Sequence, residues 1–166
     1  MSALALSPER ARMSDAASQA LSICGKQLIA DMSGALYWPG ERMLIVADLH
    51  LEKASAHAAR GALLPPYDTR ETLERLAVAI DRYQPAIVVA LGDSLHDRGA
   101  AERISSRDLA ALEILQEDRR WIWVTGNHDP EIAGKLGGEV VDALAVGGLR
   151  FVHIPTPGRA THEIAG

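Results

Sequence analysis

Hydrophobic positions in this chain fall into short blocks of two kinds. Gln27 to Ala30, Ala35 to Trp38 and Met43 to Ala47 are runs of strand length, broken by Ser33-Gly34 and Pro39-Gly40. Those turn pairs favour immediate reversal and predict an antiparallel start to a sheet. Ala86 to Leu91 and Trp121 to Thr125 are nearly continuous apolar runs, as strands covered on both faces require. Trp121 and Trp123 flank Ile122, and one ring is read as facing the core, the other a neighbouring layer. Between these runs Leu73, Leu76, Ala77 and Ile80 recur at helical spacing. They predict a helix over Thr69 to Tyr83, capped by Asp68 or Thr69 and stopped before Pro85. A second helix is predicted around Arg107 to Glu117 and a short one after Pro130. Glu139 to Val146 and Leu149 to Val152 read as two strands turning at Gly147-Gly148. Strands alternating with helices predict an α/β layered domain.

Residues 1 to 26 precede this patterning, the first 20 or so being rich in Ser, Ala and charge, and are expected to form a loosely ordered leader. Residues 27 to 166 read as one continuous domain without internal repeats. A length of 166 residues with 48% hydrophobic content suits one domain with a core, hence one active site.

Composition narrows the function. A formal charge of -5 excludes a protein that coats nucleic acid through general basicity, so a phosphate-bearing substrate must be held locally. The basic residues are 14 Arg and 3 Lys, and the guanidinium fork suits phosphate oxygens. Cys24 is the single cysteine, which rules out an internal disulfide and fits a reducing compartment. The apolar run Ala3 to Leu6 is broken by Pro8, Glu9 and Arg10, too soon for a signal-peptide core or a membrane span. A cytoplasmic protein with no membrane partner is expected.

The chemistry lies at the strand ends, where open α/β sheets present their sites. Asp48-Leu49-His50 follows Met43 to Ala47, and residues two apart on extended backbone point the same way, so a carboxylate and an imidazole can share one ion. Gly92-Asp93 follows Ala86 to Leu91 and offers a carboxylate able to bridge two ions. Gly126-Asn127-His128-Asp129 follows Trp121 to Thr125 and offers an amide oxygen ligand and an imidazole for the reacting group. His153 follows Leu149 to Val152. Singly, each motif reads as turn chemistry or a strand-end histidine; in this order, each after an apolar strand, they predict a two-metal site. Oxygen and nitrogen donors without thiolate suit Mn, Fe, Zn or Mg. His96 and Asp97 are candidates to line the cleft or orient a ligand, while Lys53, Arg60 and His57 read as surface residues.

These blocks resemble the calcineurin-like metallophosphoesterases, whose signature runs Asp-x-His, Gly-Asp, Gly-Asn-His-Asp/Glu, a lone His, then Gly-His-x-His. Within that superfamily, Ala47 to Lys53, Arg60-Gly61, Leu64 to Thr69 and Gly92 to Asp97 are most similar to the bacterial ligase-associated DNA damage response endonucleases. The resemblance implies a two-sheet β-sandwich flanked by helices. It implies that Asp48 and His50 hold a first ion, that Asp93 bridges, and that Asn127 and His153 hold the second. His128, oriented by Asp129, would be the catalytic histidine. It further implies two divalent ions, manganese above all, and cleavage of phosphodiesters including single-stranded DNA. DNA ligase and helicase repair proteins are the implied partners.

Glu163 to Gly166 reads as the strand leading into Gly-His-x-His, and the sequence stops at that glycine. The fold is therefore expected to be incomplete at the C-terminus and the ions more weakly held. Two alternatives stand beside the nuclease: a nucleotide or small-molecule phosphodiesterase, and a non-catalytic remnant serving as an interaction module.

Overall fold

Seven strands lie side by side in chain order in a computed structural model, which describes residues 18–59, 61, 68–125, 135–155, 157–158 and 162–166. Strands β1 (Ser18–Ile23), β2 (Lys26–Asp31), β3 (Leu36–Trp38) and β4 (Met43–Ala47) pair antiparallel in succession. Strands β5 (Ile87–Leu91), β6 (Arg120–Val124) and β7 (Glu139–Val141) then add in parallel to β4. A second sheet places β9 (Leu149–Val152) between β8 (Leu144–Val146), antiparallel to it, and β10 (Glu163–Ala165), parallel to it. Four α-helices, α1 (Lys53–Ala59), α2 (Asp68–Tyr83), α3 (Ala100–Arg103) and α4 (Ser106–Gln116), and a 3-10 turn at Pro39–Glu41 complete the described elements.

The two faces of the large sheet follow from the period of two along a strand. Leu44, Val88, Ala90, Trp121 and Trp123 point to one side, where Leu73, Leu76 and Ile80 of α2 and Leu112 of α4 cover them. Met43, Ile45, Val89, Leu91, Ile122 and Val124 point to the other, against Leu149 and Phe151 of β9. The result is the two-sheet sandwich flanked by helices that the family resemblance implied. Trp121 and Trp123 correct one expectation: two apart on a strand, they share the helix-covered face, their rings 5.4 Å apart.

Two boundaries also shift. The sheet begins before Gln27, because Ser18–Ile23 pairs with β2 through a turn at Cys24 (φ 51) and Gly25 (φ 76). Paired positive φ values at the centre of a two-residue loop match the twist of the strands. Residues 1 to 17 lie outside the described residues. The single strand expected over Glu139 to Val146 is divided between the sheets. Thr125 donates its backbone N–H to Val141 and its hydroxyl to the carboxylate of Asp142, at 2.9 and 3.1 Å. Those bonds end β7 on the large sheet and free Leu144 to start β8. The helix expected after Pro130 falls outside the described residues.

Candidate metal centre

The register brings the ends of three parallel strands level: Ala47 pairs with Leu91, and Leu91 with Val124. Side chains just beyond these residues therefore gather at one edge of the sheet. Asp48 and His50 leave β4, Asp93 leaves β5, and one ligand atom from each lies within 4.8 Å of the others. All three sit at positive φ, 50°, 43° and 45°. Non-glycine residues avoid that region, and clustering of such backbone marks sites where surrounding structure over-determines an unfavourable conformation.

What over-determines it is a short parallel bridge between Leu51 and Leu95. His50 donates its backbone N–H to Asp93, Leu51 to Ser94 and His96 to Leu51, at 2.9–3.0 Å. The two ligand-bearing loops are thus zipped together just past the sheet. Glu52 anchors the far side. Its buried carboxylate accepts from the Thr69 hydroxyl at 2.9 Å, and its own N–H donates to that hydroxyl at 2.8 Å. Asp68 accepts from the N–H of Ala54 at 2.8 Å, so the start of α2 caps the start of α1.

His153 reaches the same edge from the other sheet. Its Nδ1–H donates to the carbonyl of Leu91 at 3.2 Å, and its Nε2 lies 3.5 Å from Asp93 Oδ1. Asp93 thus has the Asp48–His50 pair on one side and His153 on the other. Gly92 makes this possible: at φ +68, a Cβ there would collide with the His153 ring.

The donor set fits divalent ions. Asp93 Oδ1 and His50 Nδ1 are buried and make no hydrogen bond among the described residues. A buried polar atom without a partner is costly, and a cation at this point would satisfy the carboxylate oxygen. Three imidazoles line the margin. The His96 ring lies 5.9 Å from His50 and 5.7 Å from His57. Burial, with the neighbouring charges of His50, His57 and Lys53, pushes His96 below its ordinary imidazole value against the opposing pull of Asp97. Asp97 is held by Arg103 at 2.7 Å, and Arg103 also donates to Ser55 on α1 at 3.0 Å.

The structure therefore brings together Asp48, His50, Asp93 and His153. Asn127, His128 and Asp129 lie outside the described residues. Sequence reasoning assigned no role to His57 or Glu52. A helical phase for Lys53–Ala59 would have flagged His57, but the run Lys-Ala-Ser-Ala-His-Ala-Ala has no large apolar stripe to announce a helix.

The structure of nuclease MPE from Pseudomonas putida superposes with a TM-score of 0.71 at 28% sequence identity, covering 89% of this chain and 72% of that one. No curated protein sequence matches the chain significantly. The family model for calcineurin-like phosphoesterases matches residues 41–161, a span that includes Asp48, His50, Asp93 and His153, and the chain belongs to that family.

Proposed function

We propose that this phosphoesterase hydrolyses phosphodiesters, with single-stranded DNA as its substrate, at a two-metal centre built from Asp48, His50, Asp93 and His153. The carrying observation is the Asp93 carboxylate, its buried Oδ1 unbonded, flanked by two groups of ligands. In this reading Asp48 and His50 would hold one ion, His153 with Asn127 would hold the other, and Asp93 would contribute its carboxylate to both. His128, oriented by Asp129, contacts the phosphate. Bound there, two divalent cations would lower the pKa of an attacking water and offset charge developing on the phosphoryl group.

The chain's own residues do the rest. The Leu91 carbonyl fixes the His153 tautomer so that Nε2 carries the free lone pair. The bridge between Leu51 and Leu95 ties the loops that carry His50 and Asp93 to each other. Carboxylate and imidazole donors suit manganese, iron, zinc or magnesium alike, and the family resemblance favours manganese among them. A nucleic acid is favoured because the superposed Pseudomonas putida protein is a nuclease, and DNA because of the resemblance to the ligase-associated DNA damage response endonucleases. Resemblance to the ligase-associated family adds a repair setting, with ligase and helicase proteins as partners, and the single cysteine fits a cytoplasmic location. No helix among the described residues is long and apolar enough to cross a membrane.

The test is manganese-dependent cleavage of labelled single-stranded DNA by the wild type and by Asp93→Asn. Cleavage by the wild type alone is expected. Equal cleavage by both would place the activity elsewhere, and cleavage by neither would remove DNA as the substrate.

A further inference from the structure

Asp48 belongs to two features at once. Besides joining the ligand cluster, it forms one end of a cleft of about 200 Å³ that runs between the Ser33-Gly34 turn and the exposed side of α2, with Thr72 and Arg75 on the helical wall. The Asp48 side chain is 52% exposed, so its carboxylate is open to solvent. Past Ser33 and Ala79 the cleft continues into a depression bordered by Met32 and Val78, which are 81% and 64% exposed. Large apolar side chains open to water mark a surface against which a base can rest, with the cation of the adjoining cleft left for its phosphate.

Arg75 is the cation positioned for that contact. It pairs at 2.8 Å with Glu71 one turn earlier on α2, both side chains about two-thirds exposed. An exposed pair of this kind contributes little to stability, so the guanidinium can exchange it for a phosphate oxygen. The cleft is too small for a duplex and of the right order for one unstacked nucleotide.

We infer that the nucleotide next to the scissile phosphate lies in this cleft, between the Ser33-Gly34 turn and α2, with Arg75 contacting its flanking phosphate. The inference rests on the phosphodiesterase reading above and adds to it the path of the strand away from the metals. It also gives a physical reason for a single-stranded substrate in a chain of net charge -5, since recognition is local to one cleft.

The experiment compares two substrates with manganese: bis(p-nitrophenyl) phosphate, which reaches only the metals, and a labelled single-stranded oligonucleotide. Arg75→Glu is expected to lower kcat/KM on the oligonucleotide about 10-fold more than on the small diester. It should also flatten the salt dependence of oligonucleotide KM by about 0.7 in log–log slope, the share of one phosphate on a single strand. Arg75→Lys should keep most of the oligonucleotide activity, and Arg107→Glu on α4 should leave the ratio between substrates as in the wild type. An unchanged ratio and salt slope in Arg75→Glu, with a wild type active on both substrates, would overturn the cleft assignment alone. A wild type active on neither would overturn the phosphodiesterase reading and the cleft with it.

Discussion

The imidazole of His153 is tied to the carbonyl of Leu91 at 3.2 Å, and this one hydrogen bond joins the two sheets at the metal centre. Leu91 is the last residue of β5 and His153 follows β9. The bond sets the ring so that the opposite nitrogen faces Asp93, 3.5 Å away. A carbonyl can only accept, so the proton resides on Nδ1 and the lone pair of Nε2 is left for an ion.

Gly92 is the residue that permits this approach. Gly92→Ala adds a methyl group into the His153 ring and places a side chain at φ +68. Both effects oppose folding, and a loss of about 1–3 kcal/mol is expected from strain and overpacking. Urea denaturation of the two proteins measures it. An unchanged midpoint would mean that the close approach is not maintained in solution.

Thr69 stabilises the loop that carries His50. In Thr69→Val the Glu52 carboxylate and backbone N–H lose the hydroxyl that serves both. Burial of unsatisfied groups costs about 1–3 kcal/mol, so a fall in stability of that order is expected at pH 7. Thr69→Ser keeps the hydroxyl and should recover most of it, which denaturation of all three proteins would reveal.

Asp31 gives the chain a pH signature outside the candidate ligand cluster. Burial alone would raise its carboxyl, but hydrogen bonds from Tyr83, Ser33 and Arg82 outweigh it and hold the group at about 2, against an ordinary 3.8. A lowered folded-state value contributes stability above the unfolded value and loses it as pH falls through the folded one. Asp31→Asn is therefore expected to cost roughly 1–2 kcal/mol at pH 7. The gap from wild type should close to about half by pH 3. A gap independent of pH between 7 and 3 would show that the charge of Asp31 is not what matters.

Much of this side-chain cluster was legible because its members immediately follow apolar strands. The runs ending at Ala47, Leu91 and Val152 are set by hydrophobicity alone, and Asp48, Asp93 and His153 come within two residues of those ends. Three features had no such signal. Glu52 is buried because Thr69, 17 positions away, satisfies it, and nothing local marks that pairing. The division between β7 and β8 depends on Thr125 bonding to Asp142 across a parallel strand, so an apolar run that reads as one strand serves two sheets. The first hairpin was hidden by Ser18, Gln19 and Ser22, whose polar character suits an outer strand with little to cover.

Manganese binding, read as the loss of the free-ion electron paramagnetic resonance signal during titration, tests the centre most directly because it requires no substrate. The wild type is expected to remove manganese from solution stoichiometrically, and Asp93→Asn to bind at least about 10-fold more weakly, as loss of a shared carboxylate requires. Equal binding by the two proteins would contradict a metal centre organised around Asp93.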